Sequence, residues 1–308
     1  MKIDEKTLDI ISTIVGSFDI IDDHRADNER TGVISINVNN QKFFVKIHKN
    51  LWHWHPEVFA YKSWTKFVEP FAPIMRSSFN NGETFGIITT PIKGRTVNET
   101  NITEKSRLIE IYYNAGKHLR KMQNGANNSF FGIPKVDGTP LEHPYLKTGI
   151  TDPVEYITLE IESIFKLGYD KNIFTNKHMP LVNYSLKSCE IFGSDKPVFT
   201  NKDFSQNNWM VDENGIFTGF IDFEKTHWGL SLDSFGVVIE RYAFDKPDLR
   251  QALFDGYGLP DDETTKLKIQ ILNVKMALTD IYNGLNNNHP HFVDCGQRML
   301  NQLIAEFK

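Results

Sequence analysis

Residues 201–224 read NKDFSQNNWMVDENGIFTGFIDFE, and this stretch decides the fold. Asp203 is followed five positions later by Asn208, and a turn signal, DENG, then leads into a short apolar run that ends at Asp222. The pattern predicts a loop beside one end of a hairpin whose second strand runs directly into Asp222. Three oxygen-bearing side chains would meet at this edge, and such oxygens are the ligands that Mg²⁺ prefers.

The composition is that of an ordinary globular protein. The chain has 308 residues, of which 40% are hydrophobic and 24% are charged, enough for two subdomains and a sizeable core. The net charge of -5 argues against a broad nucleic-acid or anionic-membrane surface. The start, MKIDEKTLDI, has no signal-like apolar segment. We therefore expect a cytoplasmic protein without nucleic-acid or membrane partners, present as a monomer or dimer.

The N-terminal part of the chain shows mainly strand patterns. Residues 32–50, GVISINVNNQKFFVKIHKN, place β-branched and aromatic residues on both sides of the turn signal NNQ and predict a hairpin. Residues 55–71 predict a helix that opens at Pro56 and stops before Pro70. FGIITTPIKGR follows as a buried strand run broken by a proline and a glycine. The pattern predicts a small mixed lobe that ends near Ile92.

Helical periodicity dominates the rest of the chain. The apolar residues of TEKSRLIEIYYNAGKHLRKMQN recur at steps of three or four, which is typical of one helix face. Residues 153–168 and 267–285 show similar steps. The larger lobe is therefore predicted to be mostly helical, with the hairpin of residues 201–224 as a strand-like island within it.

Simpler interpretations compete for several of these residues. Asp203 alone fits a turn or helix cap, and Lys46 alone fits a solvated lysine at a strand end. The stretch WHWHPE, residues 52–57, holds two histidines, but without further ligands a loop or helix start is favoured over a zinc site. Trp209 and Trp228 fit core packing better than ligand stacking. The spacing of Asp203 with Asn208 and Asp222 is what favours a catalytic site.

The pattern resembles the aminoglycoside phosphotransferase and choline kinase group, small-molecule relatives of the protein kinases. Their signature runs H-x-D-x-x-x-x-N, a hairpin, and then I-D-[FW], and NKDFSQNN and IDFE match its Asp, Asn and second Asp. GLSLDSFG resembles the segment that carries the family's structural aspartate, here Asp233. Asn201 departs from the pattern, because the family usually has histidine there.

The resemblance extends to the N-terminal lobe. Lys46 in FFVKI falls where the family has its nucleotide-binding lysine, and Glu57 falls where it has the paired helix glutamate. ITTPIKGRTV, with Thr90 and Ile92, resembles the linker whose backbone groups read the adenine. The family's glycine-rich loop is matched only by Gly32.

The resemblance implies a role for each of these residues. Asp203 would accept or orient the proton of the attacking hydroxyl, while Asn208 and Asp222 would hold Mg²⁺ against the β- and γ-phosphates. Lys46 would contact the α- and β-phosphates, held in place by an ion pair with Glu57.

Two nearby acidic residues have less specific roles. Glu224 resembles the glutamate of the family's DFE segment and would either face a cationic substrate or form a surface ion pair. Asp233 would be a structural hydrogen-bond acceptor that braces the loop of Asp203.

The resemblance implies an α+β, two-lobed protein-kinase-like fold. Its parts would be a small β-rich nucleotide-binding N-lobe, residues 1–92, and a larger, mainly helical catalytic and substrate C-lobe, residues 93–308. The implied reaction is Mg²⁺-dependent transfer of the γ-phosphoryl group of ATP or GTP to a hydroxyl of a small, cationic acceptor. An aminoglycoside-type antibiotic is the first candidate. A choline-type or other metabolite kinase stays open, and so does an inactive nucleotide-binding homologue, because of Asn201 and the sparse glycine loop.

Overall fold

The N-terminal lobe is built on one antiparallel sheet. The computed structural model describes residues 5–23, 31–126, 128–142 and 149–307. The sheet has five strands in the order β1-β2-β3-β5-β4. The strands are β1 Asp19–Asp23, β2 Thr31–Val38, β3 Gln41–His48, β4 Met75–Asn80 and β5 Phe85–Thr89.

The β2–β3 hairpin confirms the prediction for residues 32–50. Its turn residues Asn39 and Asn40 have φ values of 50° and 64°, a left-handed conformation that asparagine tolerates better than most residues. In β3, Val45 and Ile47 are buried in the lobe's own core. Because side chains alternate along a strand, Lys46 lies on the opposite face of the sheet.

One predicted boundary is wrong. The helix that was expected to open at Pro56 begins at Leu51, and this helix, α2, spans Leu51–Ser63. Asn50 caps it, because its side chain accepts a hydrogen bond from the His53 backbone amide. WHWHPE thus lies in the first turns of α2, and a single-turn 3₁₀ helix, Thr65–Val68, follows the helix.

The C-terminal lobe is mainly helical, as predicted. Its long helices include those expected from the periodicity and several that were not predicted. The helices of the chain are α1 Glu5–Val15, α2 Leu51–Ser63, α3 Lys105–Asn124, α4 Pro153–Asp170, α5 Met179–Lys187, α6 Phe235–Val237, α7 Pro247–Tyr257, α8 Glu263–Asn286 and α9 Pro290–Phe307. A π-helical turn, Val238–Tyr242, continues α6.

Five short strands form the island within this lobe. One sheet has the order β6-β8-β9, and in the other β7 pairs with β10. The strands are β6 Arg95–Thr96, β7 Val198–Asn201, β8 Trp209–Val211, β9 Phe217–Phe220 and β10 Thr226–Gly229. The hairpin predicted after Asn208 is therefore β8–β9.

The two-lobed α+β architecture is confirmed. Trp209 and Trp228 are both buried in the main core, as expected. The boundary at residue 92 stays a prediction, although the first strand beyond it, β6, pairs with β8 of the C-terminal lobe. Among the described residues, no helix combines the length and the apolar character that crossing a membrane requires.

Candidate active site

The site is built around the β7–β8 loop, residues 202–208. Asn201, the last residue of β7, is buried, and its side chain binds in two directions. Its Oδ1 accepts a hydrogen bond from the Asp203 amide at 2.8 Å, and its Nδ2 donates to the Asp222 carbonyl at 3.1 Å. The asparagine at the family's histidine position therefore joins the loop to the segment after β9.

Asn208 closes the other end of the loop. Its Nδ2 donates to the Asp203 carbonyl at 2.8 Å, and its own carbonyl accepts from the Ile221 amide at 3.0 Å. Asp222 follows with φ 63°, a left-handed backbone that a residue other than glycine seldom adopts. The structure thus brings Asp203, Asn208 and Asp222 to one edge.

Lys46 reaches this edge from the N-terminal lobe. Its Nζ lies 2.9 Å from Glu57 Oε2, 2.9 Å from Asp222 Oδ1 and 3.1 Å from Glu224 Oε2. The predicted pair of Lys46 and Glu57 is therefore present, and it continues across to the C-terminal lobe. Glu57 is 1% exposed, and its Oε1 also accepts the Phe223 amide at 3.4 Å.

Three carboxylates share this one lysine, so the cluster carries excess negative charge. Burial by itself would lower the pKa of Lys46, but Asp222, Glu57 and Glu224 raise it well above its usual value. Burial, together with the charges of Glu224 and Glu57, raises the pKa of Asp222 despite Lys46. The site therefore resists further negative charge and favours a cation near Asp222.

Glu224 does not form the surface ion pair that was one of its two expected roles, whereas a contact with a cationic substrate stays a prediction. Its side chain is only 12% exposed, and its carboxylate binds Lys46 inside the site. Burial would raise the pKa of this carboxyl, but Lys46, His53 and His48 lower it to about 2. Glu224 is thus an ionised member of the Lys46 cluster.

His48 is a member of the cluster that the sequence reasoning missed. It is fully buried, and its Nε2 lies 2.8 Å from Glu57 Oε2. His48 stands two positions after Lys46 on β3, so the strand period could have placed both on one face. Together with Glu57 and Glu224 it brings ligand atoms within 4.8 Å of one another. Lys46 Nζ lies 2.9 Å from Glu57 and 3.1 Å from Glu224, so an ammonium already compensates both carboxylates of this trio.

Asp203 has a cationic partner of its own. Lys225 Nζ lies 3.0 Å from Asp203 Oδ2, and both side chains are partly exposed. No motif pointed to Lys225, because the fold brings it back to the loop through the β10–β7 pairing, where Thr226 lies opposite Asn201.

Thr90 and Ile92 lie just beyond β5 and are both partly exposed. The Thr90 amide donates to the Ile74 carbonyl at 2.9 Å, and its hydroxyl accepts from the Ile74 amide at 2.9 Å. Within the described ranges, no hydrogen bond of the Ile92 amide is found. Their contact with adenine remains a prediction.

Asp233 and Gln123 brace the strands behind the loop. Asp233 accepts a hydrogen bond from the Leu230 amide at 3.1 Å, in the segment that follows β10. Gln123, near the end of α3, donates to the Phe199 carbonyl at 3.0 Å and to the Ser231 carbonyl at 2.8 Å. Gln123 thus ties β7 to helix α3, while Asp233 orders the segment after β10.

Comparison with known families identifies the chain. The family model described as "Phosphotransferase enzyme family" matches residues 31–268, well over half of the chain, so the chain belongs to this family. The resemblance inferred from the sequence, and the prediction of a phosphotransferase enzyme, are therefore confirmed. A search of curated proteins finds no match.

Solved structures share the fold at low sequence identity. A thermostable mutant of aminoglycoside phosphotransferase APH(4)-Ia, in complex with AMP-PNP and hygromycin B, has a TM-score of 0.72 and 12% identity, with 96% of this chain and 97% of that chain covered. The gentamicin complex of APH(2″)-IIa has a TM-score of 0.64 and 13% identity, covering 98% and 97%. A putative fructosamine-3-kinase from Haemophilus somnus 129PT has a TM-score of 0.63 and 14% identity, covering 96% and 95%.

Proposed function

We propose that this member of the phosphotransferase enzyme family transfers the γ-phosphoryl group of ATP or GTP to a hydroxyl of a small molecule. One observation carries the proposal: Asp203, Asn208 and Asp222 meet at one edge, and Lys46 of the other lobe binds Asp222 at 2.9 Å. Phosphoryl transfer depends mainly on positioning and on neutralisation of phosphate charge, and this edge offers groups for both.

Each group has a chemical task in this proposal. The acceptor hydroxyl lies against the Asp203 carboxylate, which orients it and takes up its proton as its oxygen bonds to the γ-phosphorus. At the same time the bond from the γ-phosphorus to the bridging β,γ-oxygen breaks, and ADP or GDP leaves. The Lys46 ammonium, which three carboxylates hold in the charged state, contacts the phosphates of the nucleotide. Glu57 fixes Lys46 from the buried side, so the ammonium keeps its direction.

The donor set near Asp222 fits Mg²⁺. Asp222 offers a carboxylate, and because the Nδ2 of Asn208 is bound to the Asp203 carbonyl, its amide oxygen is the atom that a cation would meet. The excess of carboxylates around Lys46 further favours a cation here. When bound, Mg²⁺ would neutralise charge on the β- and γ-phosphates.

Replacing Asp222 tests the metal assignment. We expect Asp222→Ala to weaken nucleotide binding in the presence of Mg²⁺ by about tenfold or more, because phosphate charge is then less well neutralised. Calorimetry of both proteins with and without Mg²⁺ separates this effect from the lost contact with Lys46. Unchanged affinity for the Mg²⁺–nucleotide complex would rule out Asp222 as a ligand.

An aminoglycoside-type antibiotic is the first candidate acceptor. It is supported by the shared fold with structures that hold hygromycin B or gentamicin. A second candidate is a hydroxyl-rich metabolite, as the similarity to a putative fructosamine-3-kinase suggests. The Lys225–Asp203 ion pair is compatible with this second candidate, because Lys225 compensates the charge of Asp203 and the carboxylate alone does not select a cationic acceptor.

A panel of acceptors decides between these candidates. Purified protein would be incubated with Mg²⁺ and either ATP or GTP, and with aminoglycosides, choline, or sugars and sugar amines, and the products would be read by mass spectrometry. The proposal predicts one added phosphoryl group on a hydroxyl compound. Nucleotide hydrolysis that no acceptor stimulates, with no phosphorylated product, would contradict it and favour an inactive homologue.

A further inference from the structure

A largely buried lysine joins the two parts of the chain that frame the β7–β8 loop. Lys275 lies in the middle of α8, and its side chain is 13% exposed. Its Nζ lies 2.8 Å from Glu160 Oε2 on α4 and also binds Asp233 Oδ1. The side chains of these carboxylates are only 13% and 2% exposed, so the lysine supplies the positive charge between them.

The Glu160 carboxylate contacts the β7–β8 loop directly. Glu160 Oε1 binds Lys202 Nζ at 2.8 Å, and Lys202 immediately precedes Asp203. The two oxygens of Glu160 thus bind two different lysines, one on α8 and one in the loop.

Asp233 is connected to the same loop through its sequence neighbour Ser234. Asp233 accepts the Leu230 amide at 3.1 Å, and the neighbouring Ser234 hydroxyl accepts the Asn201 amide at 3.0 Å. Asn201 is the residue that orients the Asp203 amide. Lys275 therefore forms ion pairs with both carboxylates that connect to the loop of Asp203: Glu160, which binds Lys202, and Asp233, which lies next to Ser234.

The charges in this network depend on one another. Burial would raise the pKa of Glu160, but Lys202 and Lys275 outweigh it and hold the pKa well below its usual range. Without the ammonium of Lys275, two buried carboxylates would lie close together with less compensation, and such carboxylates take up a proton or move apart. Either response would loosen Lys202 or Asp233.

We propose that Lys275 and Glu160 are positioning residues that hold the β7–β8 loop, and with it Asp203, in its working geometry from the α4 and α8 helices. The proposal rests on the role of Asp203 in the proposed function. Neither residue touches the reacting groups. Both act through Lys202 and Asp233.

The chain offers a matched control on the same helix. Lys268 lies seven residues before Lys275 on α8, and its Nζ binds Asp195 Oδ1 at 2.5 Å with both side chains about as buried, at 15% and 14% exposure. A variant at Lys268 loses a similar ion pair without a contact to the β7–β8 loop. General destabilisation of α8 would therefore affect both variants alike.

The test compares Lys275→Met, Lys275→Arg and Lys268→Met by hydrogen exchange and turnover. In Lys275→Met we expect faster exchange of the hydrogen-bonded amides of Lys202, Asp203 and Asn208, and a fall in kcat of about tenfold to a hundredfold. The Kd for the Mg²⁺–nucleotide complex should change by much less than kcat, because Lys46 and Asp222 lie outside the loop and only Asn208 lies within it. Lys275→Arg should recover most of the loss, and Lys268→Met should show neither effect.

Glu160→Gln keeps the proposal testable if Lys275→Met does not fold. This variant retains the shape of the side chain and removes only its charge, and it should show the same faster loop exchange. Loop exchange and kcat in Glu160→Gln at the level of the parent would overturn the proposal, as would equal effects in Lys275→Met and Lys268→Met. A parent protein without acceptor phosphorylation would refute the proposed function, whereas the exchange measurement would still decide whether the network positions the loop.

Discussion

Lys46 is the residue on which the charge balance of the site depends. It lies on β3 and faces Glu57, Asp222 and Glu224 at 2.9 to 3.1 Å, carboxylates that come from α2 and from the segment after β9. A nucleotide phosphate would therefore meet an ammonium whose charge and direction are both fixed. Glu57 contributes to this phosphate contact through Lys46.

A double-mutant cycle tests that interpretation. Lys46→Ala should raise the KM for the nucleotide and lower kcat by about a hundredfold, because a phosphate contact and its positioning are lost together. Glu57→Ala should be milder, since Asp222 and Glu224 still hold Lys46. The double variant should be little worse than Lys46→Ala, because coupled residues are not additive. Independent, additive losses in kcat would argue against a functional pair.

Glu240 is a buried acidic residue outside the candidate site, and it holds a proton instead of a charge. It lies in the π-helical turn and is fully buried, and burial and the neighbouring Asp280 raise its pKa well above the usual value. Arg241 binds Asp280 through two hydrogen bonds, of 2.7 and 2.6 Å, so its charge is largely engaged there. Glu240 therefore binds a proton more tightly in the folded chain than in the unfolded chain.

This shift predicts how Glu240→Gln depends on pH. The parent loses stability as pH rises above about 4.3, where the unfolded chain releases the proton that the folded chain retains. The variant lacks this loss, so its stability relative to the parent should increase with pH and the gain should reach the order of 1 kcal/mol or more near pH 7. Urea unfolding between pH 4 and pH 7 measures the difference. A difference that does not change with pH would show that Glu240 does not hold the proton.

The residues with a spaced motif could be predicted from the sequence, and those without one could not. Asp203, Asn208 and Asp222 were placed together because a loop and a hairpin are local structures with recognisable signals. Lys225, Glu160 and Lys275 carry no local signal. Their contacts join segments that are far apart in sequence, so only the packed fold reveals them.

At the scale of elements, the position of a strand turn was predicted correctly and the position of a helix start was not. The β2–β3 hairpin was predicted correctly because two asparagines mark its turn, and both have positive φ. The start of α2 was predicted five residues too late, at Pro56 instead of Leu51. The proline was taken as the helix start, whereas the Asn50 side chain provides the N-cap and the helix contains Pro56 in its second turn.

The turn of the hairpin gives an element-scale prediction. Asn40→Val should destabilise the protein by about 1 to 2 kcal/mol, because a β-branched residue is strained in the left-handed region. Asn40→Gly should leave stability unchanged or slightly higher, since glycine adopts this conformation freely. Gln41→Val, one residue later in a strand, is the matched control and should be tolerated. Equal thermal stability of Asn40→Val and Gln41→Val would contradict the claim that the left-handed backbone at residue 40 disfavours valine.

At the scale of the whole molecule, the two lobes meet through the groups that would bind the nucleotide. Lys46 on β3 binds Asp222 of the C-terminal lobe, and Glu57 on α2 accepts the Phe223 amide. The lobe classes were predictable, because strand and helix periodicities separate cleanly along the chain. The small strands β6 and β10 were harder to predict, since their pairing depends on distant segments.

The central claim is that Asp203 orients the acceptor hydroxyl in a site that binds the nucleotide independently of it. The most direct measurement compares the parent with Asp203→Asn, using turnover with the acceptor found in the panel and calorimetry with the Mg²⁺–nucleotide complex. We predict that kcat falls by at least about a hundredfold, the scale of a lost general base, while the nucleotide Kd stays within about twofold. Turnover by Asp203→Asn close to that of the parent would contradict the claim.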